Sequence, residues 1–175
     1  MKGKSRLSIP LIEIKDQVIL EFDDLRESEI NFFGQRHFDN LKIIGARIIL
    51  NKKALGVSAD FSVQFTVELN CSRCLTTFNQ KFSESLHLDY VLGRDPFLSM
   101  EKVELKSGDI DRVYYTGPDI DLTIGLREAI VLAIPPAPLC KKDCLGLCPI
   151  CGKNLNKEKC NCKSQKIGLF TPKND

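Results

Sequence analysis

Eight cysteines supply most of the chemistry available to this 175-residue chain. Cys71 and Cys74 form a C-x2-C pair, and Cys140-x3-Cys144, Cys148-x2-Cys151 and Cys160-x-Cys162 follow much later. Closely paired thiolates suit zinc, which takes four of them in a tetrahedron at about 2.3 Å in structural sites. Cys148-Pro149-Ile150-Cys151-Gly152 reads as a zinc knuckle. Its glycine lets the backbone turn and aim amide hydrogens at the sulfurs, which lowers their charge density. Cys160 and Cys162 are two residues apart, so on extended chain both sulfurs point the same way. The link from Lys153 to Lys159 is long enough to bring them over the knuckle.

The spacing favours Cys148, Cys151, Cys160 and Cys162 in one metal site and Cys71, Cys74, Cys140 and Cys144 in a second. A rival grouping joins the two x2 pairs, Cys71/Cys74 with Cys148/Cys151, as zinc ribbons do, and spacing alone leaves it open. Iron–sulfur clusters also take four cysteines, but the CPxCG run is closer to zinc sites. Eight free or oxidised thiols are the bland alternative, and spacing this dense argues against it.

Other chemistry is missing. There is no H-x-E ahead of a P-C-x-x-C, as zinc deaminases carry. No histidine lies near a cysteine pair to serve as a base. His37 and His87 read as surface residues, the latter on the polar parity of a strand. Neither a P-loop nor a G-x-G-x-x-G occurs, and no small-molecule substrate is evident. Four sulfurs per ion close a site to substrate, so the protein is expected not to be an enzyme.

The elements that must position the cysteines are mostly β. Leu7 to Ile14 and Val18 to Phe22 alternate around a turn at Lys15-Asp16-Gln17, and Leu41 to Leu50 is rich in isoleucine. Phe61, Val63, Phe65, Val67 and Leu69 alternate with polar residues, and after Cys71/Cys74 the pattern resumes through Phe78, Phe82, Leu86, Leu88 and Tyr90. That is a long hairpin with the first cysteine pair near its tip. Residues 93–119 read as a long connection with one short strand, at Val103 or Val113. Then the period changes: Asp121 caps a helix carrying Leu122, Leu126, Ala129, Ile130 and Ala133, and Pro135-Pro136 ends it. The expected fold is α+β, a mainly antiparallel sheet with one helix packed on it and a cysteine-rich zinc-binding segment. The expected domains are 1–138, β-rich, and 139–175, basic and zinc-binding.

Charge divides the same way. The whole chain carries net +2, but residues 139–175 hold eight lysines against three acids, leaving residues 1–138 net negative. Lys141, Lys142, Lys153, Lys157 and Lys159 fall on the segment the metal would make rigid. They are candidates for contacting RNA phosphates, against the bland reading of a solvated surface. No run of about 20 apolar residues could span a membrane, and no secretory signal is visible. The chain is expected in the cytoplasm, where thiols stay reduced.

The run Ile120-Asp121-Leu122, Leu126-Arg127-Glu128-Ala129-Ile130, Leu132-Ala133-Ile134-Pro135, Pro138-Leu139-Cys140, Asp143-Cys144, Gly146 to Gly152, Asn154-Leu155-Asn156 and Cys160-Asn161-Cys162 resembles the YceD family. Cys71-Ser72-Arg73-Cys74-Leu75 matches the family's upstream motif, and the first 60 residues match only in general β character. The resemblance implies a bacterial factor for accumulation of large-subunit (23S) ribosomal RNA, acting in ribosome assembly, with ribosomal RNA or large-subunit ribosomal proteins as partners. Two alternatives stand beside it. One is a redox protein or holdase acting through Cys71-Cys74. The other is a transcription regulator, weakened by the absence of a basic recognition helix.

Overall fold

The computed structural model describes residues 5–30, 32, 40–98, 102, 104 and 107–162. His37 and Val103 lie outside them. The chain divides into two compact units. The first comprises residues 1–69 and 79–136, and the second comprises 70–78 and 137–175. The second thus takes in the hairpin tip with Cys71 and Cys74 as well as the C-terminal segment.

The first unit is built on a five-stranded sheet. Its strands are β2 (Gln17–Phe22), β3 (Lys42–Lys53), β4 (Gly56–Asn70), β5 (Thr77–Leu92) and β6 (Arg112–Tyr115), paired in that order. Strict alternation on β4 buries Phe61, Val63, Phe65, Val67 and Leu69. Phe65 stacks on Phe82 of β5, ring centroids 5.2 Å apart. On the wet face, His87 Nδ1 lies 2.7 Å from Asp60 Oδ1, which gives the histidine the surface partner its parity predicts.

The sheet is mixed. β2/β3 and β3/β4 are antiparallel, but β6 runs parallel to β5, with Asp89 opposite Arg112 and Leu92 opposite Tyr115. A parallel neighbour needs a long crossover, and the connection after Leu92 is long enough to supply it. That connection carries its short strand at Val113.

The first apolar run also departs from expectation. It does not fold back on Val18–Phe22. β1 (Ser8–Pro10) ends at a proline that has no amide to donate, and a 3-10 turn at Leu11–Glu13 follows. β1 pairs instead with β7 (Asp119–Asp121), antiparallel, in a separate two-stranded sheet.

A single turn of helix, α1 (Glu27–Ile30), buries Ile30. The longer α2 (Thr123–Ala133) buries Gly125, Leu126, Ala129 and Ile130. Its N-cap is Leu122 rather than Asp121, and Leu122 has no side-chain cap; Asp121, one residue earlier, accepts the Thr123 amide on Oδ1 at 2.9 Å. The helix stops at Ile134, held extended by the proline that follows. The helix backbone lies so close to the sheet that a Cβ on Gly125 would sit 2.2 Å from the Phe61 ring. The Tyr90 hydroxyl donates to the Asp121 carbonyl at 3.1 Å, tying β5 to the start of the helix. Among the described residues, no helix is long and apolar enough to cross a membrane.

Candidate metal centres

The second unit has little apolar substance of its own. Its small core is Cys71, Cys74 and Cys144, with Phe78, Leu139, Cys140 and Leu147 packed round it. The eight cysteines collect in two groups of four: Cys71, Cys74, Cys140 and Cys144, and Cys148, Cys151, Cys160 and Cys162. Within each group the sulfurs lie within 4.8 Å of one another. The two x2 pairs of the rival grouping therefore sit in different groups.

Sulfur separations decide what such a group can be. Cys71 and Cys144 are 3.7 Å apart, as are Cys74 and Cys140, and Cys160 and Cys148 are 3.4 Å apart. A disulfide needs about 2.05 Å. One ion with four sulfurs at about 2.3 Å sets tetrahedral edges of about 3.8 Å. The donor set and the spacing both fit a single ion in each group. A sulfide-bridged iron cluster puts its thiolates on different irons and spreads them further.

Both groups start from the same knuckle. The Leu75 amide donates to the Cys71 carbonyl at 2.9 Å, and the Gly152 amide to the Cys148 carbonyl at 2.9 Å. Leu75 and Gly152 are both left-handed, at φ 56° and 71°. Inside each turn the amides point at the first sulfur. Those of Cys74 and Arg73 face Cys71, joined by that of Cys140, and those of Cys151 and Ile150 face Cys148. The turning glycine thus bonds a carbonyl, while its neighbours bond the sulfur.

These hydrogen bonds set the charge. Burial pushes the Cys71 thiol up, but the three amides outweigh it and bring it down to about 6. The Cys151 and Ile150 amides bring Cys148 to about 6. The Thr76 hydroxyl and amide lower Cys74. Cys140, Cys160 and Cys162 go the opposite way. Burial and proton sharing with Cys74 and Cys71 raise Cys140 to about 12, and hydrogen bonding with Cys151 followed by burial raises Cys162 to about 12. The Cys162 amide favours the Cys160 thiolate, but proton sharing with Cys148 and burial outweigh it and leave the thiol raised. Each group thus sets a readily ionised sulfur, Cys71 or Cys148, beside a raised thiol, Cys140 in the first and Cys160 and Cys162 in the second.

The two groups differ in shelter. Cys71, Cys74 and Cys144 are at most 5 % exposed, whereas Cys151 is exposed and Cys160 and Cys162 are half-buried. Around the first group lie contacts that spacing could not reveal. Arg73 Nη1 donates to the Cys144 carbonyl at 3.1 Å, and the Arg73 carbonyl accepts the Leu147 amide. Asn156 Nδ2 donates to Cys144 Sγ at 3.3 Å, and Asn154 Nδ2 donates to Thr76 Oγ1 at 3.1 Å. Asn154 and Asn156 stand in the run that resembles the family, but their spacing alone gives no sign of such a role.

Lys141, Lys142, Lys153, Lys157 and Lys159 are all exposed. Lys153 pairs with Glu158 at 2.9 Å and Lys141 approaches Asp143 at 3.8 Å.

The family model described as large ribosomal RNA subunit accumulation protein YceD matches residues 59–172, a stretch that holds all eight cysteines. The chain belongs to the YceD family. An uncharacterized protein of Mycobacterium leprae is 32% identical over 115 residues, covering 63% of this chain and 50% of the relative. The large ribosomal RNA subunit accumulation protein YCED homolog 1, chloroplastic, of Arabidopsis thaliana is 25% identical over 139 residues, covering 68% of this chain and 43% of the relative. The matched part is therefore half or less of these relatives' length. No solved structure matches the chain.

Proposed function

We propose that this YceD-family chain is a non-catalytic zinc-binding factor for accumulation or processing of large-subunit (23S) ribosomal RNA, acting in ribosome assembly. The observation that carries this reading is the family match over residues 59–172, which spans both four-cysteine groups and all five candidate lysines. Zinc is the ion because the donors are all thiolate, the groups are sized for one ion, and each knuckle sulfur is met by amides. The ions act as staples: four sulfurs complete a tetrahedron and leave no position for a substrate. The buried state of Cys71 and Cys74 counts against a dithiol redox role, since a reactive cysteine must be reached by its partner.

RNA is the partner through Lys141, Lys142, Lys153, Lys157 and Lys159. Lysines on a rigid support lose less entropy when they line up with phosphates. Contacts of this kind give affinity that falls steeply with salt and read no base sequence. The test replaces all five lysines with glutamine, checks zinc content and folding, and measures binding to 23S fragments across a salt series. Weaker binding with a shallower salt slope is expected. Unchanged affinity and slope would transfer the contact to another surface or to a ribosomal protein. Elemental analysis of the reduced protein should return two zinc ions per chain.

A further inference from the structure

The loop that joins the two halves of the Cys148 group, residues 152–159, does not only close its own site. It carries Asn154 and Asn156, and both reach the other site. Backbone donors fix which way each amide points. Asn156 Oδ1 accepts the Leu145 amide at 3.0 Å, so its Nδ2 is the atom that faces Cys144 Sγ. Asn154 Oδ1 accepts the Asn156 amide at 3.0 Å, so its Nδ2 is the atom on Thr76 Oγ1. Asn156 Nδ2 also donates to Asn154 Oδ1 at 3.0 Å, which locks the pair together. The Thr76 hydroxyl in turn faces Cys74. One loop therefore supports a sulfur of the first group directly and a second through a threonine.

The same loop is anchored on both sides. The Leu155 amide donates to the Gly146 carbonyl at 3.0 Å, the Cys148 amide to the Lys153 carbonyl at 2.8 Å, and Leu147 and Asn154 form an antiparallel bridge. Its far end turns back on itself, with the Lys157 and Glu158 amides on the Asn154 carbonyl at 3.0 and 3.1 Å and Lys153 on Glu158 at 2.9 Å, and just beyond it Cys160 and Cys162 join Cys148 and Cys151. Filling the second group then adds the last restraint that holds the loop, and with it Asn154 and Asn156, in place.

We infer that the two metal centres are coupled through Asn154 and Asn156, so that filling the Cys148 group tightens the Cys71 group. The inference rests on the metal reading above. Hydrogen bonds to a thiolate spread its charge and hold its direction, and loss of such a partner typically weakens metal binding roughly 10–100-fold. Coupling is reciprocal: whatever the second ion adds to the first site, the first adds to the second. The more exposed second group exchanges its ion more readily and so sets how firmly the sheltered one is held.

The test uses the full chain and cobalt as a coloured stand-in for zinc. Native mass spectrometry first counts the ions on the unaltered protein; a count of zero would end the metal reading itself, separately from the coupling. Asn156→Ala alters no ligand and should still bind two ions. At equilibrium with a chelator, both of its sites should hold their ions roughly 10–100-fold less tightly than the parent's, because lost coupling weakens each site by the same factor. Cys160→Ser with Cys162→Ser should bind one ion, held as weakly as the Cys71-group ion of Asn156→Ala. Adding Asn156→Ala to that background should change nothing further. Parental affinities at both sites of Asn156→Ala, or full additivity of the two changes, would overturn the coupling. Amide exchange over β3 and β4 monitors folding in each variant.

Discussion

Leu75 and Gly152 occupy the same place in two knuckles, one residue past the second cysteine, and both are left-handed. The glycine suits that backbone, whereas a left-handed L-residue costs roughly 1–2 kcal/mol. The Cys148 knuckle was legible in sequence because its glycine advertised the turn. Its twin at Cys71 was legible only as a spacing, since leucine hides the same geometry. Gly146 makes the point sharper: it sits at φ 76°, and a Cβ there would meet the Arg73 carbonyl at 3.2 Å. Gly152 meets nothing within 4 Å. Gly146→Ala should therefore destabilise the second unit by about 1–2 kcal/mol from backbone strain alone, with the Arg73 contact adding to it. Gly152→Ala should cost less. Amide exchange of residues 140–158 in the zinc-loaded proteins gives the comparison, and equal protection in the two variants would refute it.

The packing of α2 on β4 is a different kind of fit. Leu126, Ala129 and Ile130 mark the buried side of the helix in sequence, and the structure buries them. What the pattern could not convey is that Gly125 lets the helix backbone approach the Phe61 ring itself. A glycine inside a helix ordinarily costs stability relative to alanine, so the usual expectation for Gly125→Ala is a gain. Here the added methyl has no room, and overpacking of this kind costs about 1–3 kcal/mol. A fall in the urea midpoint of the first unit is the expected result, and a rise would show that the ring can swing aside. Strand identity was also plain on β4 because one face is dry and the other wet. Strand partners were not: Leu7–Ile14 has the alternation of a hairpin arm, but Pro10 and the turn after it send β1 to β7. The parallel place of β6 was equally hidden, because a four-residue strand carries no mark of its direction.

For the molecule as a whole, the two units draw on different sources of stability. The first buries long rows of Ile, Val, Phe and Leu. The second has the small cluster around Cys71, Cys74 and Cys144, and burying one aliphatic side chain contributes only about 1.5–3 kcal/mol. Against that stands about 1–2 kcal/mol of backbone entropy for each residue ordered. On the zinc reading proposed above, the metal makes up the difference, as it does in small zinc modules. Stripping zinc with a chelator should abolish amide protection from 140 to 158 while β3 and β4 keep theirs, and Cys148→Ser should loosen the same stretch. Protection that survives in both cases would mean the segment folds without metal. The close cysteine pairs were legible because they are short-range in sequence, but spacing left open which pairs join in one group. The division of the chain was less so, since the hairpin tip belongs with residues 66 to 73 positions further on.

That separation has a consequence for how the protein is born. Cys71 leaves the ribosome 73 residues ahead of Cys144, which at ordinary synthesis rates is about 4–15 s. Through that interval the hairpin tip presents two thiols with no partners to complete their tetrahedron. The second centre waits far less, since Cys148 and Cys160 are only 12 residues apart. The nascent chain thus carries an open half-site over those 73 residues, and both four-cysteine groups then complete within a short stretch of one another. A message truncated before Cys140 would release a chain whose sheet can form but whose thiol tip is never capped, leaving it open to oxidation and to capture by other thiols.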